Sequence, residues 1–420
     1  MSRKTFACAA GALLVAASAA AVDWNDPRSV AEAAVAASPS LREIDANLDA
    51  ARARLRGAGA LPNPMLMAGV QNQQIDLGRD PMTMYMVGAS QTFVRGERRE
   101  ALQRAAQLDV ERLQRERESR AAEVERDVLV AYDEAATAEN QIAANDDIAK
   151  LASMTGDAAR ARYEVGAAAQ IDIIRAKVEA NNIRHQVLMQ RRMRDEALAR
   201  LRALLNLSAE ETIPPFSMTH AMEHHAHESG VSLSASTPAV AALEAEVARA
   251  DEDVRLAKLA AKPDFSVEAS YGVRPQETDM VSVVGRIELP IRKKTTIEPR
   301  IAEAVARREA ARAQIDVVRR RIAAELGQAV ASRDEAIEQI NLHVEQLVPE
   351  AKLGFESALA SYETGKTTFD AVLGALQTYR ALNVDYYEFQ RQLLVAEAEI
   401  DALQHGATAR SGETGMGGVR

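Results

Sequence analysis

This chain of 420 residues contains an internal repeat, which limits the folds that it can adopt. The tetrapeptide Tyr163–Gly166 (YEVG) returns 199 positions later as Tyr362–Gly365 (YETG). Pro64 and Pro263, each ahead of an apolar segment, stand at the same separation of 199 positions. Two unrelated motifs at one separation indicate a duplicated unit, so both halves are expected to build the same succession of elements.

Long proline-free segments predict helices. No proline lies between Glu97 and Asn206, where Ala, Leu, Glu and Arg recur. Two apolar series with alternating spacings of 3 and 4 predict heptad seams facing a partner helix. They are Ala121, Val124, Val128, Ala131, Ala135, Ala138 and Ile142, and Leu326, Val330, Arg333, Ile337, Ile340, Val344 and Leu347. A 50-residue helix would be roughly 75 Å long, which favours a rod or a tunnel wall over a compact domain.

Four shorter segments predict two β-hairpins. They are Pro64–Gln74 with Met82–Phe93, and Pro263–Arg274 with Met280–Ile291. Each has about the 9–11 residues that a tilted strand needs to cross a bilayer. From the strands alone, transmembrane hairpins and ordinary soluble hairpins are equally compatible with the pattern.

Composition and local patterns divide the chain. A basic start, an apolar run and small residues up to Ala21 predict a signal peptide over 1–21. We expect a first repeat over 22–206, a His-containing connector over 207–236, a second repeat over 237–405 and a disordered tail over 406–420. Cys8 is the only cysteine, which excludes disulfides and thiolate metal sites. The net charge of −10 argues against a nucleic-acid partner.

The ordered motifs resemble those of the TolC-like outer membrane efflux proteins. The features that carry the resemblance are Leu61–Pro64, Ser90–Thr92 and Leu289-Pro290 around the strands, Tyr163–Gly166 followed by Asp172–Ala176, and Tyr362–Gly365 followed by Val372–Ala375. The resemblance covers about residues 26–405. In character the chain is most similar to the outer membrane components of heavy-metal cation efflux systems.

This resemblance implies a mainly α fold with a small transmembrane β part. Each protomer of a homotrimer would contribute four strands to a twelve-stranded barrel in outer membrane lipid of a Gram-negative bacterium, continued by a coiled-coil helical tunnel in the periplasm. The protein would be a channel without enzymatic activity or cofactor. It would receive substrate from a periplasmic adaptor and an inner-membrane pump of the resistance-nodulation-division (RND) type. Closure in a trimer would also remove the open strand edges that lipid does not tolerate.

The resemblance assigns roles to residues at the periplasmic tip. Asp172 and Tyr362 occupy positions of a link that closes the tunnel, and Asp370 lies beside positions that are acidic in some members but are Ala371 and Gly374 here. The alternative is that Asp172 and Tyr362 only satisfy helix ends. The segments Val165, Gly166, Ala167 and Thr364, Gly365, Lys366 resemble adaptor-docking turns, with plain turns as the alternative.

The cargo has one sequence indicator. His220, His224, His225 and His227 lie in the connector, beside Met218, Met222 and Glu223. Closely spaced imidazoles are good ligands for Zn, Cu, Ni or Co. This favours heavy-metal cations, with drug efflux, type I secretion, or a soluble periplasmic metal-binding coiled coil as alternatives.

Other methionines and histidines carry less information. Met65, Met67, Met82, Met84 and Met86 recur at strand period two, for which apolar packing is favoured over a copper path. The isolated His185, His343 and His405 are expected at surfaces or interfaces.

Overall fold

The computed structural model describes residues 22–73, 82–208, 210–214, 237–275 and 277–405. The chain begins with two short helices, α1 (Pro27–Ala37) and α2 (Pro39–Gly57). A proline occupies the first turn of each, where its missing N–H costs nothing. The side chains of Asp26 and Ser38 accept hydrogen bonds from the backbone N–H groups of Arg28 and Leu41 and so fix the helix starts.

The first repeat continues through a hairpin into very long helices. Strands β1 (Met65–Gln71) and β2 (Met84–Phe93) are followed by α3 (Gly96–Glu164) and α4 (Gln170–Leu204). The 69 residues of α3 give a length of about 100 Å at 1.5 Å per residue. The predicted rod-like helix is thereby confirmed.

The second repeat has the same order of helix, hairpin, long helical segment and final helix, with a short extra helix after the hairpin and a π-helical break in the long segment. It consists of α5 (Pro238–Leu259), β3 (Phe265–Val273), β4 (Met280–Ile287), the short α6 (Lys293–Thr296), α7 (Glu298–Leu342), a π-helical segment (His343–Leu347), α8 (Val348–Glu363) and α9 (Phe369–His405). The π-helical segment ends two residues before Pro349, which has no N–H for the carbonyl of Glu345, four residues earlier.

The four strands form one antiparallel sheet in the order β1-β2-β3-β4. The register pairs Met65 with Ser90, and Phe265 with both Phe93 and Ile287. All four predicted strands are confirmed. Each observed strand is shorter than its predicted segment: β1 and β3 are shorter at both ends, β2 only at its start and β4 only at its end.

The two faces of this sheet differ in chemistry. One face, here the apolar face, carries Leu66, Ala68, Val70, Tyr85, Val87, Ala89, Gln91, Phe93, Phe265, Val267, Ala269, Tyr271, Val273, Val281, Val283, Gly285 and Ile287. The opposite face, here the polar face, carries Met65, Met67, Gly69, Gln71, Met84, Met86, Gly88, Ser90, Thr92, Ser266, Glu268, Ser270, Gly272, Met280, Ser282, Val284 and Arg286. The apolar face is much the more exposed: Val283 is 70% exposed, whereas Glu268 and Ser270 are buried.

Of the two predicted heptad seams, the first is confirmed and the second is partly wrong. Six of the seven residues in the α3 series are buried, from Val124 to Ile142, while Ala121 is half-buried. In the second series Ile337 and Val344 are exposed, and the neighbouring positions Ala336 and His343 pack instead. The small Ala side chain allows close helix packing within the protomer, which leaves the larger apolar residues on the free side.

Near its middle α3 buries a carboxyl group. Asp133 is fully buried, and neither of its carboxylate oxygens has a hydrogen-bond partner. Burial, together with Glu397 on α9 and the adjacent Glu134, raises the pKa of Asp133 well above its ordinary value. Burial also raises the pKa of Glu397 to about 7, with Asp401 adding to the rise and Arg333 opposing it. These helices therefore enclose a pair of acids that favours the protonated form.

No helix in the described part of the chain is both long enough and apolar enough to cross a membrane.

Candidate functional site at the helical tip

The two repeats end at one tip in turns of identical backbone design. After α3, the N–H of Gly166 bonds to the carbonyl of Tyr163 and that of Ala167 to the carbonyl of Arg162. After α8, Gly365 bonds to Tyr362 and Lys366 to Ser361 in the same manner. Gly166 and Gly365 have φ of 74° and 77°, where a side chain would be strained. Both turns are therefore Schellman motifs that satisfy the last helical carbonyls.

The equivalent tyrosines in these turns have diverged. Tyr163 is 45% exposed, whereas Tyr362 is 3% exposed. The ring of Tyr362 packs edge-on against Phe369, with ring centroids 5.5 Å apart. The guanidinium of Arg162 lies 4.7 Å from the Tyr362 ring centroid, and it also donates to the Tyr362 carbonyl. Arg162 thus ties the end of α3 to the end of α8.

The predicted link between Asp172 and Tyr362 is present as a contact. The Tyr362 hydroxyl donates to Oδ2 of Asp172 at 3.5 Å, the long end of hydrogen-bond range. Burial raises the pKa of Tyr362, the Asp172 carboxylate adds to the rise, and Arg162 opposes it. The tyrosine is therefore a neutral donor, and the bond joins α4 of the first repeat to α8 of the second.

Two further polar contacts join α4 to α9. Arg175 pairs with Asp370, and both side chains are largely exposed. One turn deeper, Glu179 is almost fully buried, pairs with Arg380 at 2.8 Å and accepts a hydrogen bond from Gln377 at 2.9 Å. An exposed pair contributes little, whereas a buried charge must keep its partner.

We call these contacts the tip ladder, defined by Asp172, Arg175 and Glu179 on α4 with Tyr362, Asp370, Gln377 and Arg380 opposite. The structure brings all three predicted gate residues into it. Sequence reasoning missed the other four residues and Arg162. A usable signal was the 3,4 spacing of Asp172, Arg175 and Glu179 with alternating charge, which predicts one helix face. Their repeat-related positions, Ala371, Gly374 and Thr378, carry no charge.

The six residues predicted for docking form the outermost surface of the tip. Val165, Gly166 and Ala167 are exposed, as are Thr364, Gly365 and Lys366. Val165 is the most exposed apolar side chain of the six, at 78%. This surface is free in the isolated chain.

The predicted histidine ligands His220, His224, His225 and His227 lie outside the described residues. Elsewhere, across the described ranges, no group of three or more His, Cys, Asp or Glu side chains is arranged to hold a metal ion. His343, expected at a surface or interface, is buried at 4% exposure, with Nδ1 2.7 Å from the Gln339 carbonyl and its ring against Phe389. His185 is exposed on α4, and His405 ends α9.

The structure is similar to several solved channels. CusC matches with a TM-score of 0.77 and 15% identity over 91% of this chain and 92% of that one. VceC of Vibrio cholerae matches with a TM-score of 0.77 and 19% identity over 91% and 96%. The MtrE outer membrane channel of Neisseria gonorrhoeae, solved in its open state, matches with a TM-score of 0.74 and 17% identity over 92% and 90%. No curated protein sequence matches the chain.

The family model for outer membrane efflux proteins matches the chain in two segments, residues 30–207 and 231–404. These segments coincide closely with the two structural repeats and together include most of the chain. The fold and the succession of motifs agree with this match. The chain therefore belongs to the outer membrane efflux protein family, as the resemblance of its motifs predicted.

Proposed function

We propose that this protein is the exit duct of a tripartite efflux system in the outer membrane of a Gram-negative bacterium. The observation that carries the proposal is the sheet, whose exposed face is lined by Val, Ile, Tyr and Phe while its opposite face is polar. Strands of a transmembrane channel alternate in this way between lipid and lumen. A soluble periplasmic protein would expose this apolar face to water, which disfavours that alternative.

A homotrimer would complete the duct. The sheet ends at β1 and β4, and pairing β1 of one copy with β4 of the next removes both edges. Three copies of four strands give twelve. Trimer closure would equally cover exposed apolar stripes on the long helices. These are Ile171, Ile174, Val178 and Leu188 on α4, and Ile337 on α7 with Val344 in the π-helical segment that follows it.

The tip ladder would act as the periplasmic gate. Its contacts connect α4 of the first repeat with α8 and α9 of the second, so widening the tip by moving α4 away from these helices requires breaking them. Asp172, Tyr362 and Asp370 hold the outer contacts, and the buried Glu179 holds the deepest one. Closure is therefore maintained by polar bonds that a docked partner could replace one at a time.

The tip turns would receive a periplasmic adaptor, which in turn binds an inner-membrane pump of the RND type. Val165 and Thr364 stand at equivalent positions of the two Schellman turns, next to Gly166 and Gly365. A rigid turn that presents a short exposed side chain is suited to docking because binding requires little further ordering of the backbone or the side chain.

For the cargo we propose heavy-metal cations, supported by the four connector histidines. Drugs and a secreted polypeptide are the alternatives within the same fold. Growth of a deletion strain on graded zinc, cobalt, cadmium, nickel, copper and silver, beside a drug and detergent panel, separates them. Selective metal sensitivity supports the proposal and names the cation, and sensitivity to drugs alone contradicts it. Replacing all four histidines by alanine should lower metal affinity without affecting trimer formation.

The duct itself has a direct test. The protein is expected in the outer membrane fraction as a trimer whose electrophoretic mobility changes on heating. Recovery as a freely soluble monomer would contradict the proposal.

The gate is tested by conductance in planar bilayers. The double variant Tyr362→Phe, Asp172→Ala should raise the conductance of the purified trimer because it removes the hydroxyl and its acceptor. Tyr163→Phe is the matched control, since Tyr163 is the exposed equivalent in the other repeat. Unchanged conductance in the double variant would contradict the proposed gate.

A further inference from the structure

Methionines are concentrated on the polar face of the sheet, where apolar side chains are otherwise scarce. Within a single register row Met86 stands opposite Gly69 on β1 and Gly272 on β3, and Gly272 stands opposite Met280 on β4. The sulfur of Met84 lies over the same Gly272, so closely that a methyl group added to this glycine would overlap it. Met84, Met86 and Met280 therefore surround one glycine, and we call them the methionine cluster.

Packing against lipid does not account for this arrangement. Side chains that meet lipid belong on the apolar face, where Tyr85 and Val273 occupy the adjoining positions. The row across the polar face alternates methionine with glycine, so Met86 has no side chain directly opposite on either neighbouring strand. Met280 is 44% exposed, and Met84 and Met86 are half-buried. These three side chains are thus partly accessible from the polar face.

The carboxylate on the polar face does not compete with the methionine sulfurs for a cation. Glu268, the carboxylate on the polar face of β3, is buried and paired with Arg286 at 2.6 Å. A paired carboxylate has little attraction left for a hard cation. On β1, Met67 and Met65 continue the series of thioethers, and Met65 is 64% exposed.

Thioethers are soft, neutral ligands that favour Cu(I) and the chemically similar Ag(I) over hard ions such as Na⁺. They release no proton on binding, and the three flexible torsions of methionine let its sulfur follow a moving ion. A site of this kind lacks the anionic ligands that hold a metal permanently. It is suited to brief, exchangeable contact.

We propose that the methionine cluster is a contact site for soft monovalent cations of the Cu(I) class on their way through the duct. The proposal rests on the proposed function, because the polar face lines a lumen only in the closed trimer. Three protomers would place three copies of the cluster around the lumen at one level. With this site, the proposed cargo is restricted from heavy-metal cations in general to monovalent cations that bind sulfur.

The test compares Met84→Leu, Met86→Leu, Met280→Leu with a control, Met154→Leu, Met189→Leu, Met193→Leu, which alters three exposed methionines on the helices. Leucine keeps the volume and apolar character but removes the sulfur. All proteins also carry alanine at the four connector histidines, and iodoacetamide blocks Cys8 wherever it is retained. Trimers are reconstituted in planar bilayers in chloride-free nitrate buffer, and AgNO₃ is the probe.

Micromolar Ag⁺ should reduce the conductance of the parent and the control reversibly, and the cluster variant should require at least tenfold more Ag⁺ for the same reduction. X-ray absorption of silver-loaded protein should show sulfur neighbours that the cluster variant loses. Equal silver responses in all three proteins, or a silver ion with only nitrogen and oxygen neighbours, would contradict the proposed contact site. Neither result would contradict the proposed function as a duct. Absence of any channel in the parent would instead overturn the proposed function, and this proposal with it.

Discussion

Replacing Glu397 by glutamine is expected to stabilise the protein at pH 8 and to leave its stability unchanged near pH 4. The Glu397 carboxyl on α9 is largely buried and faces Asp133 of α3, Asp401 of its own helix and Arg333 of α7. The pKa of Glu397 is about 7, against 4.5 for an ordinary glutamate. Between about pH 4.5 and 7 the native state therefore keeps a proton that the unfolded chain releases.

The sign and size follow from proton linkage. Because the native pKa is raised, the contribution of Glu397 to stability is fully present below about pH 4.5 and is lost as the pH rises through about 7. At about 1.36 kcal/mol per pKa unit the shift corresponds to about 3 kcal/mol, which solvent screening of the partly exposed carboxyl reduces to about 2 kcal/mol per protomer above pH 7. An unfolding entropy of about 2.1 cal/mol/K per residue converts this to a melting temperature roughly 2 °C higher for Glu397→Gln at pH 8.

Thermal unfolding of the detergent-solubilised protein at pH 4, 6 and 8 measures this difference. Glu338→Gln is the control, since Glu338 is exposed on α7 and its replacement changes charge without relieving burial. The reasoning is refuted if Glu397→Gln lowers the melting temperature at pH 8, or if its effect is the same at all three pH values.

Two further predictions concern the tip. Glu179→Ala leaves the Arg380 charge without its buried partner and should weaken closure by about 3 kcal/mol, roughly a hundredfold in the opening equilibrium. Glu179→Gln should cost less because an amide still accepts a hydrogen bond, so equal open probabilities for the two variants in single-channel recordings would contradict the ladder. Gly166→Ala and Gly365→Ala should each destabilise a turn by about 1–2 kcal/mol, since both have positive φ. Hydrogen exchange at the turn amides should show it, whereas Gly57→Ala, at a helical position with open space, should show none.

The elements of the fold were predictable because each has a local cause. Helix length followed from the absence of proline, and strand positions from apolar segments bounded by Pro64 and Pro263. The duplication was visible as one recurring separation. The turn glycines were identifiable because a backbone with positive φ costs little for glycine and much more for other residues.

Features that depend on contacts between the repeats were not predictable in the same way. The methionines gave a period of two, but only the register shows that they share a face with Glu268 rather than with Val283. The second heptad seam contained enough apolar residues for two stripes, and the packing of Ala336 decided which one is internal. The partner of Glu179 lies 201 positions away, beyond any local pattern.

The divergence of Tyr163 and Tyr362 has a consequence for symmetry. The proposed trimer would present six nearly equivalent turns at its tip, because both turns of each protomer have the same backbone hydrogen bonds. Since one tyrosine is exposed and the other is buried beneath Arg162, the six turns alternate between two kinds. A partner that binds around this ring therefore meets true threefold symmetry, and its copies must either come in two conformations or occupy only every second turn.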